Sequence, residues 1–530
     1  MSKKPNSTSS GSGISRNRGA NWKPDIEKDL KQVIADQETD AKPISVEDDD
    51  TAMLGVDAPL VRLVNSLIHE AVKRGCSDIH IEPFESFLRV RFRIDGVLEE
   101  IQKIPYKLTP AIVSRIKILA GLDICEKRIP QDGVINFRME ESGADLRVST
   151  LPSAFGEKVV MRVLGTTNLN NDLSKLGIPD HQLKPLRKNI HNPNGLVLVT
   201  GPTGSGKTTT LYAGLNELND ITRSVFTAED PVEGNLPGVT QCQVNNAVGF
   251  SFSSILRSFL RQDPDVILVG EIRDQETAEI AIKASLTGHL VLSTLHTNCS
   301  SSTIQRLMDI GIAPYLITSS VNCIVAQRLV RKICDNCKEE TPVSKEMLRS
   351  LEIDDEVLDA THVFRGKGCD ECHGTGFKGR APVYELLEMN DEIRRLILRG
   401  GSKIEIKRLA RACGMVTLRE AGMDLVKEGL TTIEEVLGRT QEDEEGRVPL
   451  EVVRQQLGLS GIPLTDEGDP KPTEQAETKI LTADQHDEME IAEALEEKSQ
   501  GNSENKATSI SDRWKKAKAA VPADGTNEVK

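Results

Sequence analysis

An apolar run leads directly into a glycine-rich loop near the middle of this 530-residue chain. Residues 196–200 read Leu-Val-Leu-Val-Thr, and residues 201–208 continue as Gly-Pro-Thr-Gly-Ser-Gly-Lys-Thr, the pattern G-x-x-x-x-G-K-T. Glycines leave room for backbone amides to wrap a phosphate, and the helix expected after the loop points its positive dipole end at the same place. The sequence therefore predicts a nucleoside triphosphate site on a strand–loop–helix unit.

The side chains of this loop have expected roles in holding the nucleotide. We expect Lys207 to reach the β- and γ-phosphates and the Thr208 hydroxyl to hold Mg²⁺. A chance glycine-rich turn is the alternative, and the strand-like run in front of the loop argues against it. The other expected nucleotide-binding residues of the loop are Gly201, Pro202, Thr203, Gly204, Ser205, Gly206 and Thr209.

Composition and charge separate a folded part from an acidic tail. The net charge is −15, and residues 442–530 carry 21 acidic against 11 basic side chains. This balance does not favour a nucleic-acid surface. Because no apolar run is long enough to span a membrane and no apolar leader is visible, we expect a cytoplasmic protein with indirect membrane association.

Hydrophobic periodicity predicts a mixed α/β fold in several units. A helix and alternating strands around an Asp95-Gly96 turn predict an α+β domain, and strand-like runs separated by helices then predict a mostly parallel sheet. The expected units are a disordered segment 1–57 with a possible short helix near 24–35, the α+β domain 58–164, a linker 165–174, the P-loop core 175–332, a cysteine-containing subdomain 333–380, C-terminal helices 381–440 and an acidic, mostly disordered tail 441–530.

Three further segments place acidic or imidazole groups at the ends of strand-like runs. Thr227–Glu233 contains three carboxylates, Glu271 follows Val-Ile-Leu-Val-Gly, and His289 and His296 lie on either side of an apolar run. A carboxylate at the carboxyl edge of a parallel sheet can orient water or bind Mg²⁺ through its waters. On the residues alone, a solvated acidic turn and structural histidines remain alternatives.

The order of these four motifs resembles the secretion-ATPase superfamily, and more narrowly the type II secretion and type IV pilus assembly ATPases, over residues 58–440. The resemblance implies a RecA-like ATPase core that uses ATP and Mg²⁺. It implies that Glu233 activates water, that Glu271 is the Walker B acid and that His296 contacts the γ-phosphate. It also places Glu229 and His289 at the nucleotide.

Two arginines of the preceding domain complete the set that the resemblance implies. In such motors, arginines of that domain reach the nucleotide, and Arg147 and Arg162 fit this pattern. The resemblance implies that they act across the interface of a homo-hexamer, from a neighbouring subunit. From the residues alone, an arginine on a strand more often belongs to a solvated face.

Two C-x-x-C pairs, Cys334 with Cys337 and Cys369 with Cys372, lie on either side of residues 338–368. Four thiolates on two tight turns are the ligand set of a closed, structural Zn²⁺ site. A redox dithiol is the alternative, but it needs only one pair. The residues around the cysteines resemble the zinc-binding subdomain of secretion and pilus-assembly ATPases.

The resemblance implies a motor that drives pseudopilin or pilin assembly and protein export, with type II secretion as the first choice. It implies platform and adaptor proteins as partners at the cytoplasmic face of the inner membrane. A pilus-assembly ATPase and a DNA-uptake or conjugation-type ATPase are alternatives with the same fold. A zinc-ribbon nucleic-acid-binding protein is a third, but the acidic balance and the 3% aromatic content count against it, so no direct nucleic-acid partner is expected.

Overall fold

The computed structural model describes residues 23–39, 59–138, 143–164, 172–341, 363–443 and 448–459. Its helices are α1 Lys23–Thr39, α2 Pro59–Lys73, α3 Thr109–Leu119, α4 Asp180–Ile190, α5 Lys207–Leu218, α6 Phe252–Phe259, α7 Gln275–Leu286, α8 Ser300–Asp309, α9 Pro314–Ser320, α10 Asp391–Leu398, α11 Lys403–Ala412, α12 Leu418–Lys427, α13 Ile433–Arg439 and α14 Leu450–Gln456.

The strands form two large sheets and one short ribbon. They are β1 Asp78–Pro83, β2 Phe87–Ile94, β3 Val97–Pro105, β4 Gln131–Arg138, β5 Gly143–Ser153, β6 Gly156–Leu164, β7 Gly195–Thr200, β8 Val225–Glu229, β9 Thr240–Gln243, β10 Val266–Val269, β11 Leu290–Leu295, β12 Val321–Ile333, β13 Lys338–Thr341, β14 Val363–Gly366 and β15 Phe377–Glu388.

The first sheet is antiparallel, with the strand order β3-β2-β1-β6-β5-β4. Alternation along β2 buries its apolar side chains against α2 and α3, whereas Arg89 and Arg91 lie on the other face and pair with Glu82. This is the predicted α+β domain. Helix α1 covers the possible short helix near 24–35, and it adds three buried side chains to the same core: Ile26, Leu30 and Val33.

The second sheet has the order β15-β12-β7-β11-β10-β8-β9 and is parallel except for β15. All residues of β7, β10 and β11 are buried, because helices cover both faces. The mostly parallel core is confirmed. Its arrangement brings the carboxyl ends of β7, β8, β10 and β11 to one edge.

Strands β12 and β15 form a long antiparallel pair that the hydrophobic pattern does not predict. They pair from Cys323 opposite Glu388 to Ile333 opposite Phe377, so the cysteine-containing segment is an excursion between two strands of the core sheet. The expected boundary at residue 380 falls inside β15. Buried Gln327 and Arg328 interrupt the apolar run of β12, which hides the strand in the sequence.

The tip of the β2–β3 hairpin contacts the beginning of β15. Asp95 Oδ2 accepts a hydrogen bond of 2.8 Å from the Gly379 amide, and Arg380 Nε lies 3.4 Å from Asp95 Oδ1. Most of the expected tail and the linker residues 165–171 lie outside the described residues. Within the described part of the chain, no helix is both long and apolar enough to cross a membrane.

Candidate functional site

An open cleft of about 1140 Å³ lies at the carboxyl edge of the second sheet. Four segments that are distant in sequence meet there, because parallel strands end at the same edge. Glu229 is the last residue of β8 and Glu233 follows it, Glu271 follows β10 and His296 follows β11. The phosphate-binding loop supplies the opposite wall through Thr203, Gly204, Ser205, Gly206, Lys207, Thr208 and Thr209.

Two glycines of this loop have no room for a side chain. A Cβ atom on Gly201 would lie 2.6 Å from the carbonyl oxygen of Gln327, and one on Gly206 would lie 2.9 Å from Gln327 Nε2. Gly206 also has φ of 89°, and α5 begins at the next residue. The loop is thus shaped by close packing against β12, a support for which the sequence carries no motif.

The Lys207 ammonium lies over the loop that precedes it. Its Nζ donates to the carbonyl oxygens of Gly201 at 2.9 Å and Pro202 at 3.2 Å. Burial lowers the pKa of Lys207, and the negative charge of Glu271 opposes that shift. Gly201 and Pro202 therefore lie at the base of the loop, where they orient the ammonium toward the cleft.

Glu233 is the carboxylate whose surroundings best suit a base. Burial raises the pKa of Glu233, while a hydrogen bond from Thr208 and the charges of Arg162 and Lys207 oppose the increase. Glu229 adds to the increase by like-charge repulsion. In its ionised form, a carboxylate with a raised pKa is a stronger proton acceptor than an exposed one.

Glu271 and His296 form a pair at the cleft floor. His296 Nε2 lies 3.1 Å from Glu271 Oε2, and Arg273 pairs with the other oxygen of the same carboxylate. The Glu271 side chain is 14% exposed and that of His296 is 49% exposed. Arg273 also lines the cleft, and its position two residues after Glu271 is the only sequence signal for it.

Glu229 lines the cleft and is held by three neighbouring side chains. Its buried carboxylate accepts hydrogen bonds from the Tyr212 hydroxyl, from Thr227 Oγ1 at 2.6 Å and from Gln241 Nε2 at 3.1 Å. Burial and the Glu229 charge together raise the pKa of Tyr212. These hydrogen bonds tie the acidic segment to α5 and fix the Glu229 carboxylate at the cleft wall.

The first domain contributes one of the two expected arginines. Arg162 lines the cleft of its own chain, and its Nε lies 3.0 Å from Asp78 Oδ1. Arg147 lies opposite Arg162 in the β5–β6 register, but it is not among the described residues that line the cleft. The structure thus brings Arg162, and not Arg147, to the phosphate-binding loop of the same chain.

His289 lies outside the cleft, contrary to the expectation. Its Nδ1 is 2.8 Å from the Ala284 carbonyl oxygen, at the end of α7 and before the amino end of β11. A strand rises by about 3.3 Å per residue, so the length of β11 separates His289 from the carboxyl edge by roughly 20 Å. The geometry therefore does not support a nucleotide contact by His289.

The four paired cysteines meet in one cluster. Their sulfur atoms all lie within 4.8 Å of one another, with Cys334–Cys369 and Cys337–Cys372 separations of 3.8 Å. Tetrahedral Zn²⁺ with Zn–S bonds of about 2.3 Å requires sulfur–sulfur distances of about 3.8 Å. The cluster unites both pairs, as a zinc site does and a single redox dithiol does not.

Backbone and side-chain amides surround these sulfur atoms. The Gly376 amide donates to Cys372 Sγ at 3.2 Å, and Asn336 Nδ2 lies 3.2 Å from Cys369 Sγ. Such donors stabilise thiolates and orient them toward a metal. The residues present therefore fit a structural Zn²⁺ ion.

Comparison with known proteins agrees with this geometry. The family model described as "Type II/IV secretion system protein" matches residues 54–438. The chain belongs to this family. The predicted resemblance is therefore confirmed.

Curated relatives of this secretion family are similar over most of their length. The type IV pilus assembly ATPase PilB of Myxococcus xanthus is 48% identical over 397 residues, which cover 74% of this chain and 70% of the relative. The type II secretion system protein E of Pseudomonas aeruginosa is 48% identical over 410 residues, which cover 77% of this chain and 80% of the relative. As a member of this family the chain is a secretion or pilus-assembly ATPase, as the motifs predict.

A solved structure supports the fold. The Legionella pneumophila ATPase DotB covers 70% of this chain and 93% of its own, with a TM-score of 0.51 and 22% identity. At this identity the likeness concerns the fold alone. It agrees with the mixed α/β fold described above.

Proposed function

We propose that the chain is a hexameric, ATP-hydrolysing motor that drives pseudopilin or pilin assembly and protein export at the inner membrane, in a type II secretion machine. The observation that carries the proposal is the convergence of Lys207, Glu233 and Glu271 in one cleft beside the phosphate-binding loop. Platform and adaptor proteins of the machine are its proposed partners, on the cytoplasmic side of the membrane.

The residues of the cleft divide the chemistry of phosphoryl transfer to water. Lys207 and the loop amides hold the β- and γ-phosphates, and Thr208 would hold Mg²⁺ with Glu271 as the Walker B acid. Mg²⁺ bound there would supply positive charge that stabilises the phosphate oxygens. Glu233 accepts a proton from the attacking water, which its raised pKa favours. His296, held beside Glu271, contacts the γ-phosphate.

The arginines of the first domain connect hydrolysis to movement. Arg162 already lies at the cleft, and its charge lowers the pKa of Glu233. We assign it to the negative charge of the transferring phosphoryl group. Arg147, on the neighbouring strand, is proposed to reach the site of a neighbouring subunit. A change of the nucleotide then shifts the first domain against the P-loop core, as in other domain closures.

The zinc site supports the architecture and not the chemistry. Cys334, Cys337, Cys369 and Cys372 supply all four ligands, which leaves no open coordination position for a substrate. Zn²⁺ bound there would cross-link the two ends of the segment that connects β12 with β15.

A phosphate-release assay on the full chain tests the enzymatic part of this proposal. We expect Mg²⁺-dependent ATP hydrolysis that Lys207→Ala and Glu233→Gln lower by about 100-fold or more, and a larger sedimentation coefficient with a non-hydrolysable ATP analogue. A monomer that hydrolyses ATP at the full rate would contradict shared sites in a hexamer.

The choice of machine needs a cellular test, because relatives from both machines are 48% identical to this chain. We expect that deletion in the native host abolishes secretion of folded proteins and leaves surface pili intact. Loss of pili with normal secretion would assign the chain to pilus assembly.

A further inference from the structure

A buried arginine on β12 has no assigned role in the chemistry above. Arg328 is 8% exposed, and its guanidinium donates from Nη1 to the Gln327 carbonyl oxygen at 3.1 Å. Nη2 donates to Asn298 twice, to the backbone oxygen at 3.0 Å and to Oδ1 at 3.1 Å. Burial lowers the pKa of Arg328. A charge is costly to bury unless hydrogen bonds compensate it, so these three bonds determine where the guanidinium lies.

The acceptor Asn298 belongs to the short loop 296–299 between β11 and α8. The same loop is tied to the strand before the phosphate-binding loop, because the Thr297 amide donates to Thr200 Oγ1 at 3.1 Å. Thr297 Oγ1 in turn lies 2.7 Å from Thr303 Oγ1 on α8. Arg328 is thus one of several fixed attachments of this loop, which the Glu271 carboxylate also contacts through His296.

The side chain that this loop presents to the cleft is His296. It is 49% exposed, and its ring nitrogen contacts Glu271 at 3.1 Å. A half-exposed imidazole on an unattached loop would sample several positions, whereas transfer of a phosphoryl group requires its contacts to be in place beforehand. The attachment at Asn298, two residues away, restricts that freedom.

The neighbour of Arg328 connects the same strand to the phosphate-binding loop. Gln327 Oε1 accepts a hydrogen bond of 2.8 Å from Thr210 Oγ1 on α5. Gln327 also packs directly against Gly201 and Gly206. Two successive residues of β12 therefore contact both walls of the cleft. One holds the loop that surrounds the phosphates, and the other holds the loop that carries His296.

We propose that Arg328 is a positioning residue for ATP hydrolysis: it clamps Asn298 and so fixes His296 at the γ-phosphate end of the cleft. The proposal rests on the proposed ATPase activity and adds a residue that touches neither nucleotide nor water. Its effect should appear in kcat and not in nucleotide affinity.

Kinetics of the full chain test this clamp. Asn298 is exposed, so Asn298→Ala removes one acceptor without disturbing a core. We expect Asn298→Ala and Arg328→Gln to lower kcat by about 10- to 100-fold while KM for ATP changes less than about threefold. Arg328→Lys, which keeps the charge but not the forked donors, should recover only a part of the rate.

The matched control is Arg331→Gln on the same strand. The Arg331 guanidinium pairs with Glu435 at 2.7 Å, so this variant should lower Tm without the selective loss of kcat.

A second comparison shows whether Arg328 acts through His296. In a His296→Ala background, Asn298→Ala should cause no further loss of kcat. An equal loss in both backgrounds, or wild-type kcat for Asn298→Ala, overturns the inference even if Arg328→Gln fails to fold. If the wild-type chain itself does not hydrolyse ATP, the proposed function fails first. If the wild type is active and Asn298→Ala is unaffected, only the clamp is refuted.

Discussion

His296 Nε2 lies 3.1 Å from Glu271 Oε2, although 25 residues separate the two along the chain. They meet because β10 and β11 are neighbouring parallel strands that end at the same edge of the second sheet. Arg273 holds the other oxygen of Glu271, so the imidazole and the carboxylate share a fixed position at the floor of the cleft.

This pair predicts different results for the two histidines of one motif. His296→Ala should lower kcat by about 100-fold, because it removes an arranged contact to the phosphoryl group undergoing transfer. His289→Ala should leave kcat and KM for ATP close to wild type, since His289 packs on the end of α7 at the opposite edge. Steady-state phosphate release measures both variants. A large loss of kcat in His289→Ala would show that His289 takes part in ATP hydrolysis.

Glu233 predicts the pH dependence of hydrolysis. A base must be ionised to act, so kcat/KM should fall as the pH drops through the pKa of Glu233. Because burial raises that pKa, the acid limb should lie above the pH at which an exposed glutamate titrates. Glu233→Gln should lower kcat by about 100-fold or more and remove this limb.

Arg162 should change the position of the same limb. Its positive charge lowers the pKa of Glu233, so Arg162→Ala should move the acid limb of kcat/KM to higher pH as well as reduce kcat. Arg257→Ala provides the control, because Arg257 is an exposed side chain that pairs with Glu276 and does not line the cleft, so it should leave the limb in place. If the acid limb lies at the same pH in wild type and Arg162→Ala, the charge of Arg162 does not act on the pKa of Glu233.

Much of this site could be predicted from local sequence, because each motif combines a strand with the residue at its end. The phosphate-binding loop, Glu233, Glu271 and His296 all follow that rule and meet in the cleft. His289 does not follow this rule, because it precedes β11. The motif alone does not reveal which end of the strand faces the nucleotide.

Contacts between distant segments could not be predicted in the same way. Glu229 accepts hydrogen bonds from Tyr212 and Gln241, and no periodic pattern in the sequence indicates those partners. The β12–β15 pair could not be predicted, because Gln327 and Arg328 are polar residues in a buried strand. Both side chains make tertiary contacts with the loops of the cleft, so this strand does not follow the apolar pattern.

The cysteine cluster predicts a bound metal with a structural effect. The purified chain should contain about one Zn²⁺ per chain by elemental analysis, and Cys369→Ser or a strong chelator should lower the zinc content and Tm. Cys125→Ser is the control, because Cys125 is an exposed thiol outside the cluster. Unchanged zinc content in Cys369→Ser would exclude the cluster as the ligand set.

The contact between Tyr212 and Glu229 predicts a cost in stability that is separate from chemistry. Tyr212→Phe keeps the buried ring but removes the hydroxyl that donates to Glu229, so a buried carboxylate loses one of its three donors. The expected loss is about 1–3 kcal/mol in the free energy of unfolding. Denaturant unfolding of the two-domain chain measures it, with the midpoint shift as the primary quantity. Tyr315→Phe is the matched control, since Tyr315 is 63% exposed, and it should not change the midpoint. A Tyr212→Phe midpoint equal to that of Tyr315→Phe would contradict a stabilising role for the hydrogen bond from Tyr212 to Glu229.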